Sequence, residues 1–181
     1  MNVAVFGSSL PREGEAAYGD AFELGREIAR QGAAVLCGGY GGVMEAACRG
    51  AAEAGGESIG VVLAGRGEPN RWVSRVIAEP DLSRRLARLR DLADAWIFLP
   101  RGLGTMLELV WIAESVVKGL TPPRPFVLPG DYWRSLLLRA RDEASAPDGA
   151  RRLAACVREA ASPAEAVELA LRGARISAGV P

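Results

Sequence analysis

Short apolar runs alternate with amphipathic stretches along most of this chain, and that alternation restricts the possible folds more than any other feature of the sequence. Apolar runs bounded by loop residues predict buried strands. They lie at residues 3–6, 33–37, 58–63, 95–99 and 125–128, with a weaker run at 72–78. Apolar positions at helical spacing predict helices over 16–30, 43–54, 81–92, 106–118, 149–160 and 163–173, with a further helix that Asp131 caps at its N-terminus.

Strands that alternate with helices are typical of a parallel sheet with helices on both of its faces. The sequence therefore predicts an α/β fold with three layers in the order αβα and a mainly parallel central sheet. It contains no linker, repeat or low-complexity block, so we expect residues 1–181 to form one domain, with 140–181 packed on it as a helical tail. Ligands of such sheets bind beyond the carboxyl ends of the strands, so the loops that follow the strands are the candidate site.

The residue types that the chain lacks exclude several kinds of chemistry. It has no histidine, which excludes Ser-His-Asp and Cys-His catalysis and nearly all zinc sites, so we expect no metal. Lys118 is the only lysine, which disfavours pyridoxal phosphate chemistry, and no cofactor is expected. Lys plus Arg and Asp plus Glu both number 22, so the chain lacks the basic excess of a protein that binds nucleic acid or a membrane surface.

The cysteines and the N-terminus indicate a cytoplasmic protein. Cys37, Cys48 and Cys156 show no CxxC spacing, which predicts reduced and buried thiols. The N-terminal apolar run is too short for a signal peptide, and no apolar stretch approaches the roughly 18 residues of a membrane span. With only three side-chain amides and 11 prolines, the composition also indicates a thermophilic source, a GC-rich genome, or both.

A first glycine-rich loop follows the strand predicted at 95–99 and opens a helix. Its residues Gly102, Leu103, Gly104 and Thr105 offer backbone N–H groups, the positive end of a helix dipole and a hydroxyl, all of which suit a phosphate group. A plain tight turn explains the spacing equally well. The loop is not a dinucleotide-binding fingerprint, because Leu107 stands where GxGxxG requires glycine.

A second glycine-rich loop follows the strand predicted at 33–37. It contains Gly38, Gly39, Gly41 and Gly42, which is more glycine than a short connection needs. We interpret it as a place where the backbone approaches a ligand closely, with close packing of strand and helix as the alternative.

Glu108 is the only charged residue in the apolar segment 106–113. Burial would raise its pKa and suit it to proton chemistry. The spacing from Thr105 also fits a capping box, in which Glu108 would accept a hydrogen bond from the N-terminal backbone, and spacing alone favours this structural role. The arginines at 84, 85, 88 and 90 fit a solvated basic helix face, or one of them turns towards the phosphate loop.

Together these segments resemble the LOG (Lonely Guy) family of "lysine decarboxylase-like" proteins. The family pattern PGGxGTxxE corresponds to residues 100–108, and the family's Arg-Lys pair ahead of an Ala-Asp-Ala strand resembles Arg85-Leu86 ahead of 93–97. Val5–Ser9 (VFGSS) and Gly38–Ala46 (GGYGGVMEA) also fit the wider superfamily. The similarity covers residues 2–135. Three positions depart from the pattern: Arg101 replaces glycine, Leu86 replaces lysine, and Leu107 stands where an acidic residue is frequent.

The resemblance implies a Rossmann-like fold, a homodimer, and hydrolysis of a nucleoside 5′-monophosphate, such as AMP or a cytokinin riboside monophosphate, to free base and ribose 5-phosphate. It implies that Glu108 is the catalytic carboxylate and Arg85 its partner, which would also help to anchor the phosphate. The 5′-phosphate would bind at residues 102–105. The residues that would line the nucleotide pocket are Gly7, Ser8, Gly38, Gly39, Gly41, Gly42 and Met44.

An alternative function comes from the segment Gly38–Ala46. Its form, GGYGGVMEA with Glu45, is also similar to relatives that resemble molybdenum-cofactor carrier proteins, which bind a phosphorylated pterin. The alternative is therefore a carrier or sensor that binds a nucleotide or this cofactor without turning it over.

Overall fold

The computed structural model describes residues 1–143, 147–177 and 179. Its strands are β1 (Asn2–Phe6), β2 (Ala34–Cys37), β3 (Ser58–Leu63), β4 (Arg75–Glu79), β5 (Ala95–Phe98), β6 (Phe126–Pro129) and β7 (Val157–Ala160). Its helices are α1 (Ala16–Arg30), α2 (Val43–Glu53), α3 (Leu82–Leu92), α4 (Leu103–Val117), α5 (Arg134–Asp142), α6 (Pro147–Cys156) and α7 (Pro163–Ser177).

The seven described strands form one sheet in the order β4-β3-β2-β1-β5-β6-β7, and every neighbouring pair is parallel. The predicted three-layer α/β architecture is confirmed, and the sheet is wholly rather than mainly parallel. The chain first builds outwards from β1 on one side, to β4, and then returns to the other side of β1 with β5. The order of the strands therefore reverses between β1 and β5, which is where ligands bind in open sheets of this type.

Two apolar cores cover the two faces of the sheet. Side chains of a strand alternate between faces, so Val3 and Val5 of β1 contribute to one core, and Ala4 and Phe6 to the other. The first core contains α1, α2 and α7, and the second contains α3, α4, α5 and α6. Strands buried on both faces explain why the predicted strands are continuous apolar runs.

The C-terminal region departs from the sequence prediction. The predicted helix over 149–160 is wrong beyond Cys156, because residues 157–160 form β7 and pair with β6 from Phe126–Val157 to Pro129–Ala160. The helix expected after Asp131 begins at Arg134. The 140–181 tail is thus not only helical, and its residues 144–146, 178, 180 and 181 lie outside the described residues.

The three cysteines are free and buried, as predicted. Among the described residues, no helix combines the length and the apolar character needed to cross a membrane.

Candidate functional site

The loops after β1 and β5 meet where the order of the strands reverses. Leu99 donates its backbone N–H to Phe6 O at 2.8 Å, which holds the ends of the two strands together. A Cβ on Gly102 would lie 3.3 Å from Ser8 Cα, so the two loops are in contact there. The loop after β2 joins them, because Val43 donates its N–H to Ser8 O at 3.0 Å. The residues predicted from three separate loops therefore lie at one place.

A buried ion pair lies under these loops. Arg85 extends from α3 and Glu108 from α4, and Arg85 Nη1 lies 3.5 Å from Glu108 Oε1. Their side chains are only 10% and 11% exposed. The remaining hydrogen bonds of the guanidinium go to the main chain: Nε donates to Val61 O at 2.8 Å and Nη2 to Gly38 O at 3.3 Å. Arg85 thus ties β3 and the loop after β2 to the carboxylate. Its side chain faces inwards and does not lie on a solvated face of α3.

Burial governs the protonation of Glu108. Loss of water around the carboxylate raises its pKa to about 7, and the positive charge of Arg85 opposes that rise only in part. The ion-pair contact is long and single, which explains why attraction does not overcome desolvation. A carboxyl group with a pKa near 7 can both take up and release a proton at neutral pH.

The predicted capping box is wrong. Helix α4 begins at Leu103 with Gly102 as its N-cap, so Thr105 lies inside the first turn and Glu108 one turn further along. The glycines at the end of β5 allow this earlier start, since Gly102 adopts φ = +99°. Glu108 consequently faces Arg85 instead of the helix terminus.

Thr105 has an unsatisfied hydroxyl in this first turn. The residue is 2% exposed, and its Oγ1 has no hydrogen-bond partner among the described residues. A Cβ on Gly102 would lie 3.0 Å from that oxygen, so the hydroxyl is next to the loop. A buried hydroxyl without a partner is costly and calls for an explanation, and a ligand atom in the loop would supply the missing hydrogen bond.

The second glycine-rich loop is shaped largely by packing within the protein. A Cβ on Gly38 would lie 2.0 Å from Arg85 Nη2 and 2.8 Å from Met44 Sδ. A Cβ on Gly42 would lie 2.5 Å from Ser8 O, and Gly39 and Gly42 both adopt positive φ. Packing thus explains why glycine is needed at these three positions. Gly41 has more space, its nearest neighbour being Ser9 O at 3.7 Å.

Sequence reasoning missed two residues that hold this second loop in place. The side chain of Asn70, from the loop between β3 and β4, donates to Tyr40 O at 2.9 Å, and its backbone N–H donates to Gly39 O at 2.8 Å. The Tyr40 hydroxyl accepts a hydrogen bond from Leu63 N at 2.9 Å, and the Tyr40 ring lies under the Arg85 guanidinium. Asn70 is one of two asparagines in the chain, and that rarity was the available signal.

The predicted site residues fall into two groups by exposure. Arg85, Glu108, Thr105, Ser8 and the glycines at 38, 39 and 42 are buried. Gly7, Gly41, Gly102 and Met44 are half-buried, while Leu103 and Gly104 are exposed at the N-terminus of α4. Leu103 in particular projects outwards, with 78% of its surface accessible, so only its backbone N–H is suited to a phosphate at this loop.

Proteins of more than one function are similar to this chain. A model of the SLOG cluster4 family (LDcluster4) matches residues 1–121. A cytokinin riboside 5′-monophosphate phosphoribohydrolase from Rhodococcoides fascians is 32% identical over 144 residues, which are 75% of this chain and 72% of that protein.

Solved structures that are similar to this chain include two molybdenum cofactor proteins. The molybdenum cofactor binding protein from Rippkaea orientalis is 26% identical, with a TM-score of 0.71 over 93% of each chain. The molybdenum cofactor carrier protein from Chlamydomonas reinhardtii is 25% identical, with a TM-score of 0.69 over 95% of this chain and 96% of that one. The relatives thus include a hydrolase as well as proteins that bind or carry a cofactor.

Proposed function

The chain belongs to the SLOG cluster4 family, and from this premise we propose that it hydrolyses the N-glycosidic bond of a nucleoside 5′-monophosphate to free base and ribose 5-phosphate. The main support for the proposal is the environment of Glu108. Its carboxyl group is buried, has a pKa near 7, and lies under loops that suit a phosphate. The similarity to the phosphoribohydrolase of Rhodococcoides fascians supports the same reaction.

The reaction needs little more than one carboxylate. Cleavage of the bond between C1′ and the base nitrogen develops positive charge on the ribose, which a nearby carboxylate stabilises. Water adds its hydroxyl to C1′, and Glu108 takes up the proton of that water and passes it to the departing base nitrogen, so the carboxylate is regenerated. The ionised form of Glu108 starts the reaction, and no histidine is required.

Arg85 acts as a positioning residue in this proposal. Its guanidinium is engaged by Glu108 and two backbone carbonyls, so it orients the carboxylate rather than the phosphate. The phosphate is held by the N-terminus of α4 and by the Thr105 hydroxyl, which has no other described partner. Binding energy from the phosphate then positions the ribose against Glu108.

Release of base from AMP, GMP, CMP and UMP, followed by chromatography, tests the reaction. We expect release from at least one of them and a loss of about 10²-fold or more in kcat for Glu108→Gln. Glu114→Gln is the matched control, because Glu114 lies on the same helix but is exposed and paired with Lys118. If none of the four nucleotides yields free base, the hydrolase proposal is wrong.

A second candidate is a carrier of the molybdenum cofactor. It is favoured by the two carrier-type structures, which match 93–95% of this chain, beyond the 1–121 that the family model covers. On this second hypothesis, the protein binds a nucleotide or the cofactor and releases it intact. The Glu108→Gln variant should then bind the ligand as tightly as the wild type does. The chromatography above distinguishes the two, because a hydrolase returns base and a carrier returns the ligand unchanged.

We further propose that the protein forms a homodimer through α4. Five large apolar side chains are exposed on this helix at helical spacing: Leu103, Met106, Leu107, Val110 and Trp111. Such a patch, on the order of a few hundred Å², marks an interaction site, and an uncharged surface can pair with a second copy of itself about a twofold axis.

Light scattering after size exclusion tests the dimer. Leu107→Arg is expected to yield monomers, because a charge would be buried in the apolar contact. Leu138→Arg is the matched control, since Leu138 on α5 is 44% exposed and Leu107 is 41% exposed. A wild-type monomer, or a dimer that Leu107→Arg leaves intact, contradicts the proposal.

A further inference from the structure

Arg101 has a backbone conformation that arginine rarely adopts. Within residues 1–143, 147–177 and 179 it is the one non-glycine residue with positive φ, at +74°. Glycine would adopt this conformation without steric cost, whereas a side chain at this φ is strained. A strained residue persists only where something compensates for it, and such residues concentrate at functional sites.

The Arg101 side chain contributes nothing visible to the fold. It is exposed, and its guanidinium forms no hydrogen bond or ion pair with any described residue. Most arginines elsewhere in the described chain are engaged, as Arg85 is by Glu108 and Arg49 by Glu13 and Glu53. The guanidinium of Arg101 is therefore free to contact a ligand at the adjacent loop.

Its neighbours point to an anion. Arg101 immediately precedes Gly102, the N-cap of α4, where unsatisfied backbone N–H groups begin. The Thr105 hydroxyl in the same turn is buried and unpartnered, and it faces the loop at Gly102. The backbone N–H groups at the start of α4 and the buried Thr105 hydroxyl thus both lack a hydrogen-bond acceptor. The oxygens of a phosphate can accept hydrogen bonds from both.

A dianionic phosphate also needs a cation, and Arg85 is not available for this. The Arg85 guanidinium is 10% exposed and already bound to Glu108, Val61 O and Gly38 O. We propose that Arg101 is a substrate-binding residue that supplies this charge, its guanidinium holding the 5′-phosphate from the solvent side while the loop and Thr105 hold it from below. This inference rests on the proposed function, because it assigns the phosphate subsite of that reaction.

If Arg101 holds the phosphate, its replacement should weaken the binding of every ligand that carries a phosphate, whatever its base. Arg101→Gly is expected to weaken binding of ribose 5-phosphate and of the best nucleoside monophosphate by about tenfold or more, the amount that a charge-assisted hydrogen bond contributes. Adenosine, which lacks the phosphate, should bind equally to both proteins. Arg101→Lys should lie in between, since it keeps the charge but loses the forked geometry.

The same variant should be more stable than the wild type. Glycine removes the strain at φ = +74°, so the Tm of Arg101→Gly without ligand should rise. In hydrolysis, kcat/KM should fall by a similar factor, since less of the phosphate's binding energy then positions the ribose against Glu108. Arg175→Ala, an exposed arginine on α7 remote from the loops, is the control for loss of one charge.

The assignment is tested by calorimetric binding of ribose 5-phosphate and adenosine, and of AMP in a Glu108→Gln background that turns it over slowly, together with Tm and light scattering. Weaker phosphate binding together with a higher Tm supports the proposal. Unchanged binding in Arg101→Gly overturns it while leaving the hydrolase proposal intact, whereas a wild type that binds no phosphorylated ligand overturns both. A ligand-free change of oligomeric state in Arg101→Gly would place Arg101 in a protein interface instead and also overturns it.

Discussion

Two Arg–Glu pairs on the second-core side of the sheet differ in almost every respect. Arg134 and Glu159, near the β7 edge, are 53% and 47% exposed and form a bidentate pair, with Nε donating to Glu159 Oε1 at 2.7 Å. Arg85 and Glu108, under the loops at the centre, are almost fully buried and make one contact of 3.5 Å. The pair with the better hydrogen bonds is thus the one that water surrounds.

The two glutamates respond in opposite directions. Hydrogen bonds from Arg134 lower the pKa of Glu159 below its ordinary value, while desolvation raises the pKa of Glu108. Solvent exposure, rather than the presence of an arginine, decides the outcome. A buried arginine with an imperfect contact keeps the carboxylate in place and still leaves it able to exchange protons at neutral pH.

The largest effect is expected from Arg85→Leu. At pH 8 this variant leaves a buried carboxylate without its cation and two backbone carbonyls without their donor, so unfolding free energy should fall by about 3 kcal/mol or more. Denaturant titration measures it. Arg134→Leu should cost much less, because water replaces the lost partner, and a similar loss in both variants would contradict the distinction between the pairs.

A smaller effect is expected from pH. Because the pKa of Glu108 is raised in the folded state, its contribution to stability is full below pH 4.5 and is lost as the pH rises through about 7, by up to about 3 kcal/mol. Under the proposed function, hydrolysis should rise over the same pH window, because the ionised form of Glu108 starts the reaction. Denaturant titrations from pH 4.5 to 8 test this, and Glu108→Gln should lack the decline. A decline of equal size in Glu108→Gln would assign it to another group.

The smallest effect is expected from Glu159→Gln. The pKa of Glu159 is lowered, so its contribution is present above its unfolded pKa and is lost as the pH falls through the folded value. Since this pair is exposed, we expect a barely measurable change at pH 7 that disappears in high salt. A large change that persists in 1 M salt would show that exposure does not separate the two pairs.

Much of the fold was predictable because strands buried on both faces leave a strong pattern. The runs at 3–6 and 95–99 correspond closely to β1 and β5, and the loops that follow them lie together as parallel topology requires. The strand at 157–160 was not predictable, since Val-Arg-Glu-Ala has little strand character of its own. It is a strand because β6 offers an unpaired edge, which is a tertiary effect.

The site was only partly predictable. Glycine patterns indicate loops, but they do not distinguish room for a ligand from room for Arg85, which is what Gly38 provides. The capping box failed for a similar reason: Thr105 and Glu108 have the right spacing, but the helix starts two residues before Thr105. Local spacing cannot show which of the clustered arginines turns inwards, because the packing of α3 against the sheet decides it.

The reversal of strand order at β1 also affects when the sheet can be completed during synthesis of the chain. Val3 pairs with Val35 on one side and with Ala95 on the other, so its second partner lies 92 positions along the chain. At usual rates of synthesis, β5 is made roughly 5–20 s after β1, so one side of β1 has no strand to pair with during that time. Glu108 follows later still. A newborn chain therefore carries an open apolar strand next to the candidate site, and that site is completed only after most of the protein has left the ribosome.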